Sequence, residues 1–223
     1  AALQLTPSQK FTDFTAANAA YRNWTDDLPE TPGRAQLGPI IETLREQHGD
    51  AVVANGAGNY AIWVHRFWRF RKFGSQLAPT SGSMGYGLPA AIAGKLRHPE
   101  KTVLCFAGDG CFQMTMQEFG TAAQFGANII LLVIDNGVYG TIRMHQERDY
   151  PNRISATDLR NPDFAAIAKA YGAHAETVLE TAEFEGALAR AVQSGKPALI
   201  HIKTDPEAST PVTTLTALRS ARS

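Results

Sequence analysis

Residues 102–137 read TVLCFAGDGCFQMTMQEFGTAAQFGANIILLVIDNG, two apolar runs separated by a helical pattern. The runs at 102–107 and 129–134 are rich in β-branched and aromatic residues, as buried strands are. Residues 114–125 between them have the length and apolar spacing of a crossover helix. Such a strand–helix–strand unit is typical of a parallel sheet. This stretch therefore predicts an α/β fold.

A polar triplet follows each predicted strand. The triplets are Gly108-Asp109-Gly110 and Asp135-Asn136-Gly137. Because parallel strands end at the same edge of a sheet, we expect the Asp109 carboxylate and the Asn136 amide oxygen to lie close together. Oxygen ligands suit Mg²⁺, which usually keeps several waters and takes its remaining ligands from substrate phosphates. The sequence therefore predicts a cation-bridged diphosphate at this edge.

The rest of the chain continues the alternation of strands and helices. Helices are predicted near 37–47, 61–70, 87–96, 162–171 and 182–193, and strands near 51–54, 175–178 and 198–203. Asn161 is predicted to cap the helix that starts at Pro162. Residues 139–160 are polar and long for a plain connection, which predicts a functional loop. The pattern predicts a doubly wound, mostly parallel sheet with helices on both faces.

Composition excludes several classes of partner. The 223 residues contain 21 Lys and Arg and 21 Asp and Glu, so the net charge is zero and gives no bulk attraction to nucleic acid or anionic membranes. Residues 63–72 interleave basic and aromatic residues, but a helix with one aromatic face explains them better than nucleic-acid binding does. No run is as long as a membrane span. Cys105 in a strand and Cys111 in a loop are not expected to pair, which favours a reduced, cytoplasmic protein.

Three motifs stand in a fixed order along the chain. They are NGAGNYAIW at 55–63, TSGSMGYGLPAAIAG at 80–94, and the GDG triplet followed after 25 residues by Asn136. In order and spacing, from about residue 37 to 205, they resemble the diphosphate-binding domain of thiamine-diphosphate-dependent enzymes of the acetolactate synthase-like family. Three ordered motifs are a far more specific signal than one.

The resemblance implies thiamine diphosphate and Mg²⁺ as cofactors. It implies three metal ligands: the side chains of Asp109 and Asn136 and the backbone carbonyl of Val138. It also implies that the Gly82 carbonyl accepts a bond from the amino group of the cofactor, and that Met84 is the wedge beneath the bent cofactor. The full predicted cofactor-binding set is Gly58, Asn59, Tyr60, Gly82, Ser83, Met84, Gly108, Asp109, Gly110, Cys111, Asn136, Val138, Tyr139 and Gly140.

The resemblance further implies decarboxylation of a 2-oxo acid, with or without condensation to a second carbonyl compound. It places no catalytic residue in this chain, because the glutamate that protonates the cofactor belongs to an N-terminal domain of the family. His145 stands where acetolactate synthases commonly carry a Trp, so it is a candidate substrate-pocket residue. Asn59 and Tyr60 stand where they commonly carry Gln and His. The resemblance leaves open whether FAD is bound in a full-length protein.

We expect residues 1–36 to be the linker from a middle domain, 37–205 the cofactor-binding domain and 206–223 a C-terminal tail. A homodimer or homotetramer is expected, with the active site shared with the N-terminal domain. Two alternatives stay open. One is a noncatalytic regulatory or scaffold module that keeps the fold, and the other is a dinucleotide-binding domain, which the lack of GxGxxG after a first strand disfavours.

Overall fold

The computed structural model describes residues 14–221. Six parallel strands form one sheet in the order β2-β1-β3-β4-β6-β5. The strands are β1 Val52–Asn55, β2 Gln76–Leu77, β3 Val103–Gly108, β4 Ile130–Asp135, β5 His174–Val178 and β6 Ala198–Lys203. The helices are α1 Phe14–Asp26, α2 Leu37–His48, α3 Tyr60–Phe67, α4 Gly87–Arg97, α5 Asp109–Gln113, α6 Glu118–Phe125, α7 Gly140–Asp149, α8 Phe164–Ala170, α9 Thr181–Gln193 and α10 Leu215–Ser220. The predicted doubly wound α/β fold is confirmed.

Helices cover both faces of the sheet, so its central strands are buried on both sides. In β3, Leu104 and Phe106 pack into the core beneath α2, α3 and α9. Val103, Cys105 and Ala107 pack on the opposite face, beneath α4, α6 and α8. Every residue of β3 and β4 is buried. This explains why the sequence shows continuous apolar runs there instead of an alternating pattern.

The predicted crossover helix at 114–125 starts earlier than expected and is broken. Helix α5 begins at Asp109, directly after β3, and α6 begins at Glu118, so residues 114–117 form a turn between them. In that turn, the Thr115 hydroxyl donates to the Gly85 carbonyl at 2.9 Å. This tertiary contact draws the chain toward the glycine-rich segment, which helical periodicity alone could not indicate.

Residues 139–160 are not simply a loop, because they contain helix α7. The helix has no continuous apolar stripe, so apolar periodicity does not reveal it. It is held instead by polar contacts of its buried residue Arg143. Arg143 donates from Nε to Thr157 Oγ1 and from Nη2 to Asp158 Oδ1, both at 2.6 Å.

Two helices in the last third of the chain, α8 and α10, also differ from the expectation. Asn161 does not cap α8, which begins at Phe164 with Asp163 as its N-cap, accepting from the Ala166 amide at 3.0 Å. The predicted tail contains α10, which packs against α7. Strand β2, only two residues long, was not predicted. The domain boundaries stay a prediction, and the part of the predicted linker before Phe14 lies outside the described residues.

Candidate functional site

The strand register brings the two polar triplets together. Gly108 of β3 pairs with Ile134 of β4, so Asp109 and Asp135 follow side by side at the carboxyl edge of the sheet. Asn136 comes directly after Asp135. The edge therefore carries two neighbouring carboxylates and one amide.

Asp109 is buried and held by three donors. Its Oδ1 accepts from the Gly110 amide at 2.9 Å, and its Oδ2 accepts from the Gly137 amide at 2.9 Å and from Asn161 Nδ2 at 2.7 Å. Gly137 has a φ of +70°, a left-handed conformation that glycine tolerates best. Burial raises the pKa of Asp109 to about 6, although the hydrogen bonds from Asn161 and Gly110 oppose that rise.

Asp135 is also buried, but the ammonium group of Lys203 lies beside it. Its Oδ2 accepts from His201 Nε2 at 2.7 Å and from Lys203 Nζ at 2.5 Å. Its Oδ1 accepts from Asn161 Nδ2 at 2.7 Å and from the Gly137 amide at 3.0 Å. Burial works to raise the pKa of Asp135, but the hydrogen bonds from His201, Lys203 and Asn161 outweigh it and hold the pKa well below its usual range. Lys203 thus compensates the extra negative charge of Asp135.

A cleft that is partly open to solvent lies at this edge. Twelve of the predicted cofactor-binding residues line it: Gly58, Asn59, Tyr60, Met84, Gly108, Asp109, Gly110, Cys111, Asn136, Val138, Tyr139 and Gly140. Gly82 and Ser83 do not; both are exposed, and a Cβ built on Gly82 would meet no atom within 4 Å. The predicted residues are therefore brought together, with the exception of this turn.

Close contacts join the loops of the cleft through Cys111. Its sulfur accepts from the Gly85 amide at 3.1 Å and from the Tyr60 hydroxyl at 3.4 Å. A Cβ on Gly56 would lie 2.3 Å from that sulfur, so glycine is required at this approach. Burial holds the pKa of Tyr60 well above its ordinary value, so its hydroxyl stays a neutral donor.

Helix α7 forms one wall of the cleft through its first turn. The Thr141 hydroxyl donates to Asn59 Oδ1 at 2.8 Å, and Asn59 Nδ2 donates to Ser209 Oγ at 3.2 Å. From this helix, Gly140, Thr141 and Ile142 line the cleft, whereas His145 does not. His145 is exposed, so the structure does not bring it together with the other candidates.

Three residues of the site, Asn161, His201 and Lys203, are not indicated by the sequence motifs. The sequence pattern predicts a helix cap at Asn161 and only a surface or packing role for His201. His201 is buried with its ring 5.1 Å from that of Phe164, and its neighbour Lys203 pairs with Asp135 in the sheet register. The one available signal is a histidine within the apolar strand Ala198–Lys203. Nothing in the sequence marks Asn161 as part of the site.

The residues of the cleft offer oxygen ligands of the kind that suit Mg²⁺. Asp109 Oδ1 has one donor, and Asn136 Oδ1 has one, the Val138 amide at 3.2 Å, so each oxygen keeps a lone pair. Both residues line the cleft, and oxygen is the ligand that Mg²⁺ prefers. Within residues 14–221, no three His, Cys, Asp or Glu side chains gather as a metal site. An ion here would therefore depend on amide and backbone oxygens as well as on Asp109.

Comparison with known proteins identifies the family to which the chain belongs. Residues 56–202 match the family model described as thiamine pyrophosphate enzyme, C-terminal TPP binding domain. An acetolactate synthase of Arthrospira platensis is 35% identical over 162 residues, covering 72% of this chain and 28% of that protein. The acetolactate synthase large subunit of Corynebacterium glutamicum is 39% identical over 159 residues, covering 68% of this chain and 25% of that protein.

A solved structure shares the fold. It is the thiamine diphosphate-dependent 4-hydroxybenzoylformate decarboxylase of Rhodococcus jostii RHA1, with a TM-score of 0.73 and 25% identity, covering 80% of this chain and 34% of that chain. The chain belongs to the family of C-terminal thiamine-pyrophosphate-binding domains of thiamine-pyrophosphate enzymes. It spans about 28% of the length of the first relative named above. In residues 14–221 no helix has the length and apolar content needed to cross a membrane.

Proposed function

We propose that this chain is the Mg²⁺- and diphosphate-binding part of an acetolactate synthase-like 2-oxo acid decarboxylase or carboligase. The observation that carries the proposal is the convergence of Asp109 and Asn136, from adjacent strand ends, on one cleft. The similarity to acetolactate synthases supports the reaction class. The acceptor, and any role for FAD, would be determined by parts of a longer protein.

Each wall of the cleft has a distinct role in this proposal. Asp109, Asn136 and the Val138 carbonyl would hold the cation that bridges the diphosphate. Met84 is half-buried and lines the cleft, which suits the wedge role. Tyr60, whose hydroxyl is turned to Cys111, would close the floor and exclude water. Thiamine diphosphate, when bound, supplies the electron sink that stabilises the carbanion left by loss of CO₂.

Calorimetric titration of the purified chain with thiamine diphosphate tests the cofactor part. We expect binding in Mg²⁺ and none in EDTA, and we expect Asp109→Ala to abolish it while circular dichroism shows an unchanged fold. Asn128→Ala is the matched control, because the Asn128 side chain donates to the exposed Gly195 carbonyl, at 2.7 Å, and lies just before the opposite end of β4. Equal binding with and without Mg²⁺, or tight NAD binding instead, would contradict the proposal.

The proposal includes self-association into a dimer or tetramer. Tyr86, Met114 and Ile142 are large apolar residues exposed on or near the glycine-rich segment and the cleft. Exposed apolar patches of this kind are commonly covered by partners.

Cys105 and Cys111 are both free and buried. This agrees with the reduced, cytoplasmic setting that we propose.

A further inference from the structure

The side-chain amide of Asn161 lies between the two carboxylates at the edge of the cleft. Its Nδ2 donates to Asp109 Oδ2 and to Asp135 Oδ1, each at 2.7 Å, and its Oδ1 accepts from Gln113 Nε2 at 2.9 Å. An amide nitrogen carries two hydrogens, so both are used. The Gln113 bond on the oxygen fixes which end of the amide faces the carboxylates.

The donors around the two carboxylates divide their roles. A carboxylate has about four lone-pair sites. Asp135 accepts four hydrogen bonds, two on each oxygen, so no site is left for a cation. Asp109 accepts two on Oδ2 but only one on Oδ1. Asp109 Oδ1 is therefore the carboxylate oxygen with room for a metal ion.

Removing the Asn161 amide would leave two negative oxygens facing each other. Asp109 Oδ2 and Asp135 Oδ1 would then share only the Gly137 amide, at 2.9 and 3.0 Å. Lys203 would not relieve this repulsion fully, because it bonds the other oxygen of Asp135. At the low dielectric of a buried site, like charges at short range repel strongly. The Asp109 side chain would be free to rotate away from the orientation that directs Oδ1 to the cation.

We propose that Asn161 is a positioning residue for the metal ligand Asp109. It holds Oδ2 on the protein side, leaves Oδ1 for Mg²⁺, and keeps Asp135 out of the coordination shell. This role rests on the proposed function, since it presumes that Asp109 binds the cation of the cofactor.

A Mg²⁺ titration at fixed thiamine diphosphate, followed by calorimetry, tests the proposal in the 223-residue chain. We expect Asn161→Ala to raise the half-saturating Mg²⁺ concentration about tenfold, the fold-change that about 1.4 kcal/mol represents. Asn128→Ala removes an equally short hydrogen bond, also donated by a side-chain amide, at the other end of the sheet, and it should leave the Mg²⁺ titration unchanged. An Asn161→Ala chain that binds Mg²⁺ as wild type does would overturn the proposal.

Neutralising Asp135 separates positioning from packing. In an Asp135→Asn background the repulsion between the two carboxylates is absent. Adding Asn161→Ala there should raise the half-saturating Mg²⁺ concentration much less than it does in the wild-type background. Such coupling is expected only if the amide acts between the two charges. If Asn161→Ala costs the same in both backgrounds, Asn161 has no positioning role.

A measurement without cofactor keeps this proposal distinct from the proposed function. If the wild-type chain shows no Mg²⁺-dependent binding of thiamine diphosphate, the proposed function fails. The two hydrogen bonds that the Asn161 side chain donates can still be tested by NMR. Its NH₂ protons should exchange slowly with solvent, and Asn161→Ala should shift the resonance of the Gly137 backbone amide. A rapidly exchanging Asn161 amide would overturn the positioning role even where the cofactor binds.

Discussion

Two arginine–glutamate pairs in this chain have the same geometry but different burial. Arg219 bonds Glu147 from Nε at 2.9 Å and from Nη2 at 2.6 Å. Arg190 bonds Glu176 from Nε at 2.9 Å and from Nη2 at 2.6 Å. The Glu147 side chain is 0% exposed and that of Glu176 is 23% exposed. Replacing each arginine by alanine therefore compares the same bond in two environments.

Arg219→Ala should be the more destabilising change. Breaking a fully buried ion pair costs about 3–5 kcal/mol, because the remaining charge is left without a partner. For Arg219→Ala, the free energy of unfolding should fall by about 2 kcal/mol. The Asn152 amide still donates to Glu147 at 3.3 Å, and the Arg219 side chain, 30% exposed, would leave a path for water. In a chain of this size, that loss lowers Tm by about 4–8 °C. Arg190→Ala breaks a surface pair, and its loss should be within measurement error.

The assay is thermal unfolding followed by circular dichroism, at about pH 7 and at about pH 3.5, on either side of the usual glutamate pKa. The hydrogen bond from Arg219 lowers the pKa of Glu147 below its usual 4.5. A lowered pKa means that the pair contributes stability above the unfolded pKa, and that this stability is lost as the pH falls through the folded pKa. The gap in Tm between wild type and Arg219→Ala should therefore narrow at the lower pH. Equal losses for Arg219→Ala and Arg190→Ala at neutral pH would refute the reasoning, as would a gap that does not change with pH.

Three further predictions concern packing and activity. Gly110→Ala should lower the free energy of unfolding by about 1–3 kcal/mol and weaken cofactor binding, because its Cβ would lie 2.6 Å from the Tyr139 ring. The control is Gly186→Ala, because its methyl group would meet the flexible end of the Arg190 side chain. Equal urea midpoints for the two variants would contradict this prediction. Phe184→Ala should lower the free energy of unfolding by about 3–5 kcal/mol, since Phe184 is fully buried, whereas Phe73→Ala should change nothing because Phe73 is fully exposed; chemical denaturation compares them. The purified chain should self-associate in sedimentation analysis, and a strict monomer would contradict that expectation. It should release no CO₂ from pyruvate, because the resemblance implies that the glutamate that protonates the cofactor belongs to an N-terminal domain; measurable turnover would contradict this second expectation.

The central elements of the fold could be predicted because their residues are buried on both faces. The strands found at Val103–Gly108 and Ile130–Asp135 lie within one residue of the predicted bounds. Consecutive strands joined by a crossover helix commonly pair in parallel, and β3 and β4 do so, which brings their carboxyl ends, followed by Asp109 and Asn136, to one edge as predicted. Helix α7 could not be predicted, because it is held by Arg143 and its polar partners and not by an apolar stripe. Periodicity reports apolar burial alone, so a helix anchored by polar contacts is invisible to it.

The polar residues behind the cleft were beyond sequence reasoning for a different reason. Asn161 is 52 residues from Asp109 and Lys203 is 68 residues from Asp135, so their contacts depend on strand order, which local patterns do not encode. Strand β6 lies between β4 and β5, and this insertion puts Lys203 opposite Asp135. The same placement puts His201 on the face covered by α8, where its Nε2 reaches Asp135. Because β6 pairs with β4, both His201 and Lys203 reach Asp135, and Lys203 places a positive charge beside a carboxylate next to Asp109. The strand order thus determines which charges lie beside Asp135, although the triplets that carry Asp109 and Asn136 can be recognised from local sequence.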